Sequence, residues 1–89
     1  MVVYVLENAT EKLRGTLSRW MIETKPGVFV GSVSSMVRDK LWNMIPDHTS
    51  KGALMIFSCN NEQGYQIKMH GEPSRCMIDL DGLQLIKVQ

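Results

Sequence analysis

The sequence has few cysteines and no long apolar segment, and each shortage excludes a class of protein. Two cysteines in 89 residues, Cys59 and Cys76, are too few for a disulfide framework and too far apart for a metal knuckle. The longest uninterrupted apolar run, residues 1–6, is far below the roughly 18 residues of a membrane span. It also lacks the basic start and small-residue cleavage site of a signal peptide. We therefore expect a reduced, cytoplasmic protein with no membrane partner.

Excess charge of either sign is also missing. Ten Lys and Arg residues face nine Asp and Glu residues, which leaves a net charge of +1 at pH 7. Such a chain has no global field to attract nucleic acid, so any polyanion site has to be a local arrangement. The 44% apolar fraction is that of a folded protein, and 89 residues allow one domain, assigned to 1–89. Its core is small enough that a second copy of the chain would add stability.

The apolar pattern predicts a strand, a helix, a strand, a second helix and then three strands. Residues 2–6 do not alternate, which is typical of a strand buried on both faces. Asn8 and Glu11 can form a capping box for a helix that runs to about Glu23. Further strands are predicted at 28–30, 53–57, 65–70 and 83–88, with a second helix from the serines at 32–35 to Pro46. This order predicts an α+β ferredoxin-like two-layer sandwich, with two helices on one face of a mainly antiparallel sheet and an extra C-terminal strand.

Three acidic residues are candidates for metal chemistry. Glu7 ends the first predicted strand beside a helix N-terminus, where it could hold Mg²⁺ if a two-fold axis brought a second copy close. The commoner explanation is a solvated acid that the helix dipole stabilises. Asp79 and Asp81 are spaced two apart, but Asp81-Gly82 is a strong turn signal, so the turn explains them better.

Basic residues near the first predicted helix favour an anion site. Lys12 and Arg14 lie in its first turns, where the helix dipole and the backbone amides also favour phosphate. Gly15 in a helix interior suggests that something approaches that backbone closely. Other cations would join this site if the fold brought them to one edge, although a solvated, ion-paired face explains them equally well. These other cations are Lys25, Arg38 and Arg75.

Several short segments, taken in order, make the chain similar to a known family. They are Glu7-Asn8, Leu13-Arg14-Gly15, Trp20, Gly27-Val28-Phe29-Val30-Gly31, Arg38, Trp42 and Asp79-Leu80-Asp81-Gly82-Leu83. Together they resemble the small CRISPR-associated protein two family, specifically its type I-E branch. The resemblance spans essentially the whole chain.

The resemblance implies a ferredoxin-like homodimer that works with the CRISPR-associated integrase subunit in antiviral defence. Such complexes capture a short DNA duplex and insert it as a new spacer into the repeat array. Catalysis belongs to the integrase subunit, so the small dimer would be a non-catalytic scaffold that requires no cofactor. Met36 and Ser74 stand where a type I-E relative carries basic residues. The family's phosphate-contacting positions map onto Lys12, Arg14, Lys25, Arg38 and Arg75.

The resemblance also leaves alternatives open. Family members described as metal-dependent nucleases bind their metal through an Asp that ends the first strand, whereas this chain has Glu7-Asn8 there. A Mg²⁺-dependent endonuclease of RNA or DNA, using a Glu7 pair across the dimer axis, is the main alternative. A ligand-sensing regulatory domain is a more remote one. Some members carry a fused exonuclease domain after this module, so the chain could also be a fragment of such a fusion.

The C-terminal segment of the family helps to bind the integrase subunit. By resemblance, the same role falls to Asp79, Asp81, Leu83, Leu85 and Val88.

Overall fold

A computed structural model describes residues 1–71, 75–80 and 83–88 of the chain. A short 3-10 helix, Ile45–Asp47, follows the second α-helix, and none of the described helices is long and apolar enough to cross a membrane. The other elements, in chain order, are β1 (Val2–Ala9), α1 (Glu11–Leu17), β2 (Ile22–Lys25), β3 (Val28–Gly31), α2 (Ser35–Met44), β4 (Thr49–Ser58), β5 (Tyr65–Gly71), β6 (Arg75–Leu80) and β7 (Leu83–Val88).

Five of the strands form one antiparallel sheet in the order β2-β3-β1-β4-β5. The central strand is β1, where Tyr4 lies between Phe29 of β3 and Met55 of β4. The first four strands and the two helices have the ferredoxin-like arrangement, which confirms the predicted α+β two-layer sandwich. β5 adds a fifth strand beyond β4, while the predicted C-terminal strand is β7, which pairs with β6 in a separate two-stranded sheet.

The core lies between the two helices and one face of the sheet. Fully buried side chains from the three central strands meet buried leucines from both helices in one apolar cluster. Burying a side chain of this size stabilises a fold by about 1.5–3 kcal/mol. The cluster includes Val2, Tyr4, Leu6, Phe29 and Met55 from the strands and Leu13, Leu17 and Leu41 from the helices.

Tyr4 joins this core to α2 by two contacts. Its ring stacks on Trp42, with centroids 6.3 Å apart and an angle of 8° between the planes. Its hydroxyl donates a hydrogen bond of 2.6 Å to the carbonyl oxygen of Arg38. Burial raises the pKa of the Tyr4 phenol, so the group stays protonated and keeps donating at neutral pH.

The opposite face of the sheet is apolar as well, but both α-helices lie on the other side. Side chains alternate along β1, so Val3 and Val5 lie away from the helices and are only half-buried. Their neighbours Val28 and Val30 on β3 and Ile56 on β4 are half-buried too. We call these five residues the open face; Leu54 of β4 and Ile67 of β5 lie on the same side of the sheet but are buried. The prediction that the first strand is buried on both faces is therefore wrong for a single chain, because the helices seal one face only.

The first helix is shorter than the sequence pattern predicts. α1 ends at Leu17 rather than near Glu23, and Ile22–Lys25 form the strand β2. Pro26 and Gly27 make the tight turn from β2 to β3, in which Gly27 has a φ of 83°. A Cβ at this glycine would overlap the carbonyl oxygen of Leu6, so only glycine fits there.

The start of α1 also differs from the prediction. Thr10 is the N-cap, and its Oγ1 accepts a hydrogen bond of 3.2 Å from the Leu13 amide. Asn8 lies before the helix with a φ of 56°, a left-handed conformation that asparagine tolerates better than most residues. The prediction that Asn8 and Glu11 form a capping box is therefore wrong.

The second helix and the β4–β5 hairpin are confirmed. Ser34 caps α2, since its Oγ accepts a hydrogen bond of 3.2 Å from the Val37 amide, and Pro46 follows just after the helix ends. Residues 59–64 connect β4 to β5, which pair in antiparallel register. The sequence pattern underestimated the length of β4, which begins at Thr49 rather than at residue 53.

Candidate nucleic-acid interface

A salt bridge between Arg14 and Glu23 connects α1 to β2. Nε of Arg14 donates to Oε2 of Glu23 at 3.1 Å, and Nη2 donates to Oε1 at 3.2 Å. The backbone amide of Gly27 donates to the same Oε2 at 2.9 Å. One carboxylate therefore holds both a guanidinium and the turn between β2 and β3. Hydrogen bonds to a charged group of this kind are stronger than neutral ones.

These donors also set the ionisation of the pair. The Gly27 amide and then the Arg14 guanidinium lower the pKa of the Glu23 carboxyl, and partial desolvation opposes them. The carboxylate is therefore charged at neutral pH. The Arg14 side chain is 43% exposed and that of Glu23 is 23% exposed, so the cation is the more accessible partner.

A pocket of about 300 Å³ opens beside this pair. It lies where the end of β1, the helix α1 and the β2–β3 turn come together. Among the described residues that line it, Arg14 is the one that carries a charge, so the pocket suits a small anion. The lining residues are Leu6, Asn8, Ala9, Arg14, Pro26 and Gly27.

Two more of the predicted phosphate-binding cations lie on the same two elements. Lys12 is exposed on α1, and Lys25 is exposed at the end of β2, directly before the turn. Because Arg14 and Glu23 tie these elements together, the fold places three of the five predicted cations on adjoining segments.

Arg38 lies in a different part of the helix layer. Its guanidinium carbon is 4.0 Å from the ring centroid of Phe57 on β4, and its Nε donates to Oδ1 of Asp39 at 3.0 Å. The side chain is 18% exposed. In the sheet, β4 is separated from β2 by β3 and β1. The predicted single stripe of cations is therefore divided within one chain, and a phosphate contact by Arg38 stays a prediction.

The remaining candidates lie in or beside the C-terminal hairpin. Arg75 begins β6 opposite Val88, and Asp79 pairs with Gln84. The predicted interface residues Leu83 and Leu85 lie on β7. Asp81 and Ser74 lie outside the described residues. The roles of all these residues in binding DNA or the integrase subunit stay predictions.

Glu7, the predicted metal ligand, lies near the end of β1 opposite Gly52 of β4, in line with Val3 and Val5. Within the described parts of the chain, no three His, Cys, Asp or Glu side chains are grouped so that they could hold a metal ion. Mg²⁺ is often held by one or two carboxylates together with substrate phosphates. A Glu7 from each of two copies would match that need, so the Mg²⁺ site also stays a prediction.

The sequence pattern missed Glu23 as part of the site. It placed Glu23 on the first helix, four residues after Arg19, whereas the structure places it on a strand and pairs it with Arg14. A usable signal was present, because β-branched Ile22 and Thr24 precede the Pro-Gly turn.

Gly15 gives a different outcome. A Cβ on this glycine would meet no atom of the described chain within 4 Å, apart from its chain neighbours and its own helix. The close approach expected there is therefore not made by the described part of this chain, and contact with a partner stays a prediction.

Comparison with protein-family models identifies a family that covers nearly the whole chain. The model described as CRISPR-associated protein (Cas_Cas2CT1978) matches residues 1–85, a range that includes both α-helices, the five-stranded sheet and β6.

Proposed function

Because the chain belongs to the CRISPR-associated protein two family and so has a role in CRISPR adaptation, we propose that it acts there as a dimeric, non-catalytic scaffold. In this proposal it belongs to the type I-E branch and works in the cytoplasm. It binds the phosphate backbone of duplex DNA and bridges integrase subunits during spacer integration. The family match over residues 1–85 is the observation that carries the proposal.

The charge distribution supports binding to phosphates rather than to bases. A net charge of +1 cannot hold DNA by bulk attraction, so the contact has to be local. Lys12, Arg14 and Lys25 supply such a local group, on two elements joined by a salt bridge. Side chains of this kind position a duplex without reading its sequence.

The open face supports a dimer. Its five half-buried residues are all β-branched and apolar, and they lie on the three central strands. A second copy that presented the same face would bury both, which is the self-complementary contact of a two-fold dimer. The dimer would also place two local cation groups along one duplex.

The scaffold role is tested by reconstituting spacer integration from this protein, the integrase subunit, a short duplex and a repeat-containing DNA. We expect integration to require this protein and to survive Glu7→Gln at an unchanged rate. Glu62→Gln, which neutralises an exposed carboxylate in the β4–β5 loop, is the matched control. Loss of integration in Glu7→Gln, with the complex still assembling by size-exclusion chromatography, would refute the scaffold role.

The endonuclease alternative has a direct assay. Purified protein is incubated with Mg²⁺ and either duplex DNA or RNA, beside the same protein in EDTA. We expect no cleavage above that of the EDTA sample. Cleavage that needs Mg²⁺ and disappears in Glu7→Gln, but not in Glu62→Gln, would establish the alternative.

A further inference from the structure

A carboxylate beside a phosphate-binding arginine needs an explanation, because its charge repels phosphate. Glu23 lies within 3.2 Å of the Arg14 guanidinium, next to the pocket that Arg14 lines. Glu23 either masks the cation or holds it in a useful orientation. The contacts around the pair favour the second explanation.

We propose that Glu23 is a positioning residue for Arg14. It holds the guanidinium at the pocket so that the N–H groups it does not engage bind one phosphate group there. This inference rests on the proposed function, since the phosphate in question belongs to the DNA backbone.

The hydrogen-bond inventory leaves room for a ligand. A guanidinium has five N–H donors, and Glu23 accepts from Nε and from one N–H of Nη2, which leaves three. Arg14 keeps 43% of its side chain exposed although it is paired. Arginine suits this arrangement because its planar fork can contact a carboxylate on one edge and a phosphate on another.

The carboxylate is itself held by the sheet. The Leu6 amide of β1 donates to the Gly27 carbonyl oxygen at 2.8 Å, and the Gly27 amide donates to Glu23 at 2.9 Å. A side chain at Gly27 would overlap Leu6, so this turn sits tightly against β1. The chain of contacts thus runs from the central strand to Glu23 and then to Arg14. An arginine held in this way loses less conformational entropy when phosphate binds.

The pocket supplies the space. Its volume of about 300 Å³ accommodates a phosphate group, and the described lining residues other than Arg14 carry no charge. Arg14 is therefore the residue in the lining that would recognise the ligand by charge.

The main test measures duplex DNA binding by the purified protein, using fluorescence anisotropy. Glu23→Ala should weaken binding about 2- to 10-fold, the cost of ordering one long side chain. Removal of a negative charge would by itself tighten binding to DNA, so weaker binding by Glu23→Ala would indicate positioning. Glu11→Ala is the matched control, because Glu11 is an exposed carboxylate on α1, the helix that carries Arg14. It should leave binding unchanged or make it tighter.

A double-mutant cycle separates positioning from a general effect on the fold. In the Arg14→Ala background, Glu23→Ala should cause no further loss. Tighter binding by Glu23→Ala alone would mean that Glu23 masks Arg14, and an equal loss in both backgrounds would mean that it acts through the fold. Either result would overturn the proposal. Glu23→Gln keeps a side-chain oxygen for the Gly27 amide, so it serves if the alanine variant does not fold, and it should show a smaller loss.

A second readout does not depend on DNA. Pyrophosphate is titrated into the protein while the NMR signal of the Arg14 Nε–H is followed. The signal should shift and saturate in the wild type, and Glu23→Ala should need about 2- to 10-fold more pyrophosphate to reach the same saturation. If duplex DNA fails to bind but this shift is seen, the proposed DNA function is wrong and the phosphate subsite stands. If the signal does not shift in the wild type, or saturates at the same pyrophosphate concentration in Glu23→Ala, the positioning role is wrong.

Discussion

The two faces of the central sheet have a similar apolar composition but very different cover. Along β1, Val2, Tyr4 and Leu6 lie under the helices and are buried, while Val3 and Val5 between them are half-buried. The amino acids of a strand therefore do not decide how deeply it is buried. What decides it is which other elements the chain can lay over each face.

The helices are too few to cover both faces. α1 has seven residues and α2 has ten, and both pack on the same side of five strands. Within the described residues, the five members of the open face stay partly exposed, and an exposed apolar patch of this kind is typical of an interface. The helix face is thus the part that one chain completes alone, and the open face is the part that we propose a second copy completes.

The largest expected effect comes from a cavity in the core, on the face of the sheet that the helices cover (the helix face). Phe29→Ala should lower the free energy of unfolding by about 3–5 kcal/mol, because it leaves a cavity at a fully buried position. Urea denaturation followed by circular dichroism measures this loss. Phe29→Leu is the control and should lose clearly less. A loss below about 1 kcal/mol for the alanine variant would mean that this face is not sealed.

A charge on the open face should separate association from folding. Val3→Lys should weaken self-association by at least about 100-fold, since a buried unpaired charge is costly, while the monomer keeps its fold. Analytical ultracentrifugation over a range of concentrations measures the change. Ile22→Lys, at a 73% exposed position on the edge strand β2, should associate like the wild type. An unchanged dimer in Val3→Lys would show that the open face is not the interface.

The same substitution at Val2 and Val3 compares the two faces directly, because the two valines lie on opposite faces of β1. Val2→Ala removes two buried carbons on the helix face and should cost about 2 kcal/mol at any protein concentration. Val3→Ala should cost less than about 1 kcal/mol in dilute solution and more when the protein associates. Thermal unfolding at several concentrations compares them. Equal losses in dilute solution would contradict the proposed difference between the faces.

The hydroxyl of Tyr4 tests the polar part of the helix face. Tyr4→Phe keeps the stacking on Trp42 but removes the hydrogen bond to the Arg38 carbonyl oxygen, so it should cost about 1 kcal/mol. Chemical denaturation measures the difference. A variant as stable as the wild type would show that this carbonyl finds another donor.

The smallest effect concerns the edge of the helix face and depends on pH. The pKa of Glu23 is lowered in the folded protein, so its pairing stabilises the fold above the ordinary carboxyl pKa of about 4.3 and is lost as pH falls through the lowered value. The stability difference between wild type and Glu23→Gln should therefore shrink below about pH 4.3. Denaturation curves from pH 7 to pH 3 measure it. A constant difference over that range would contradict the pairing.

Most of the fold follows from the sequence because short apolar segments and the turn residues between them determine it. The end of α1 does not, and the reason is local. Leu17 and Met21 are both buried, and the Met21 amide still donates to the Leu17 carbonyl oxygen after the helix has ended. The spacing of buried residues therefore continues through the turn, although Trp20 within it is 53% exposed. Periodicity alone cannot show where such a helix ends.

The sequence could point to the cations of the candidate site, but it could not predict the carboxylate with which Arg14 pairs. Arg14 stands out from its position near a helix start, and the resemblance to a family adds the other basic residues. The bond from Arg14 to Glu23 crosses from a helix to a strand nine residues later, and it exists only because β2 replaces the end of the predicted helix. Errors in the length of one element thus become errors in the electrostatics of the site.

The position of β1 has a consequence for synthesis on the ribosome. Val2 pairs with Gly31 on one side and with Phe57 on the other, so neither neighbour exists when β1 emerges. At about 5–20 residues per second, the second neighbour follows roughly 3–10 seconds later. The apolar strand therefore has no partner until β3 emerges and has only one until β4 emerges, which favours binding of the nascent chain by chaperones. The yield of folded protein should therefore depend on chaperone supply and translation speed more than it would for a sheet whose first strand pairs with the next strand made.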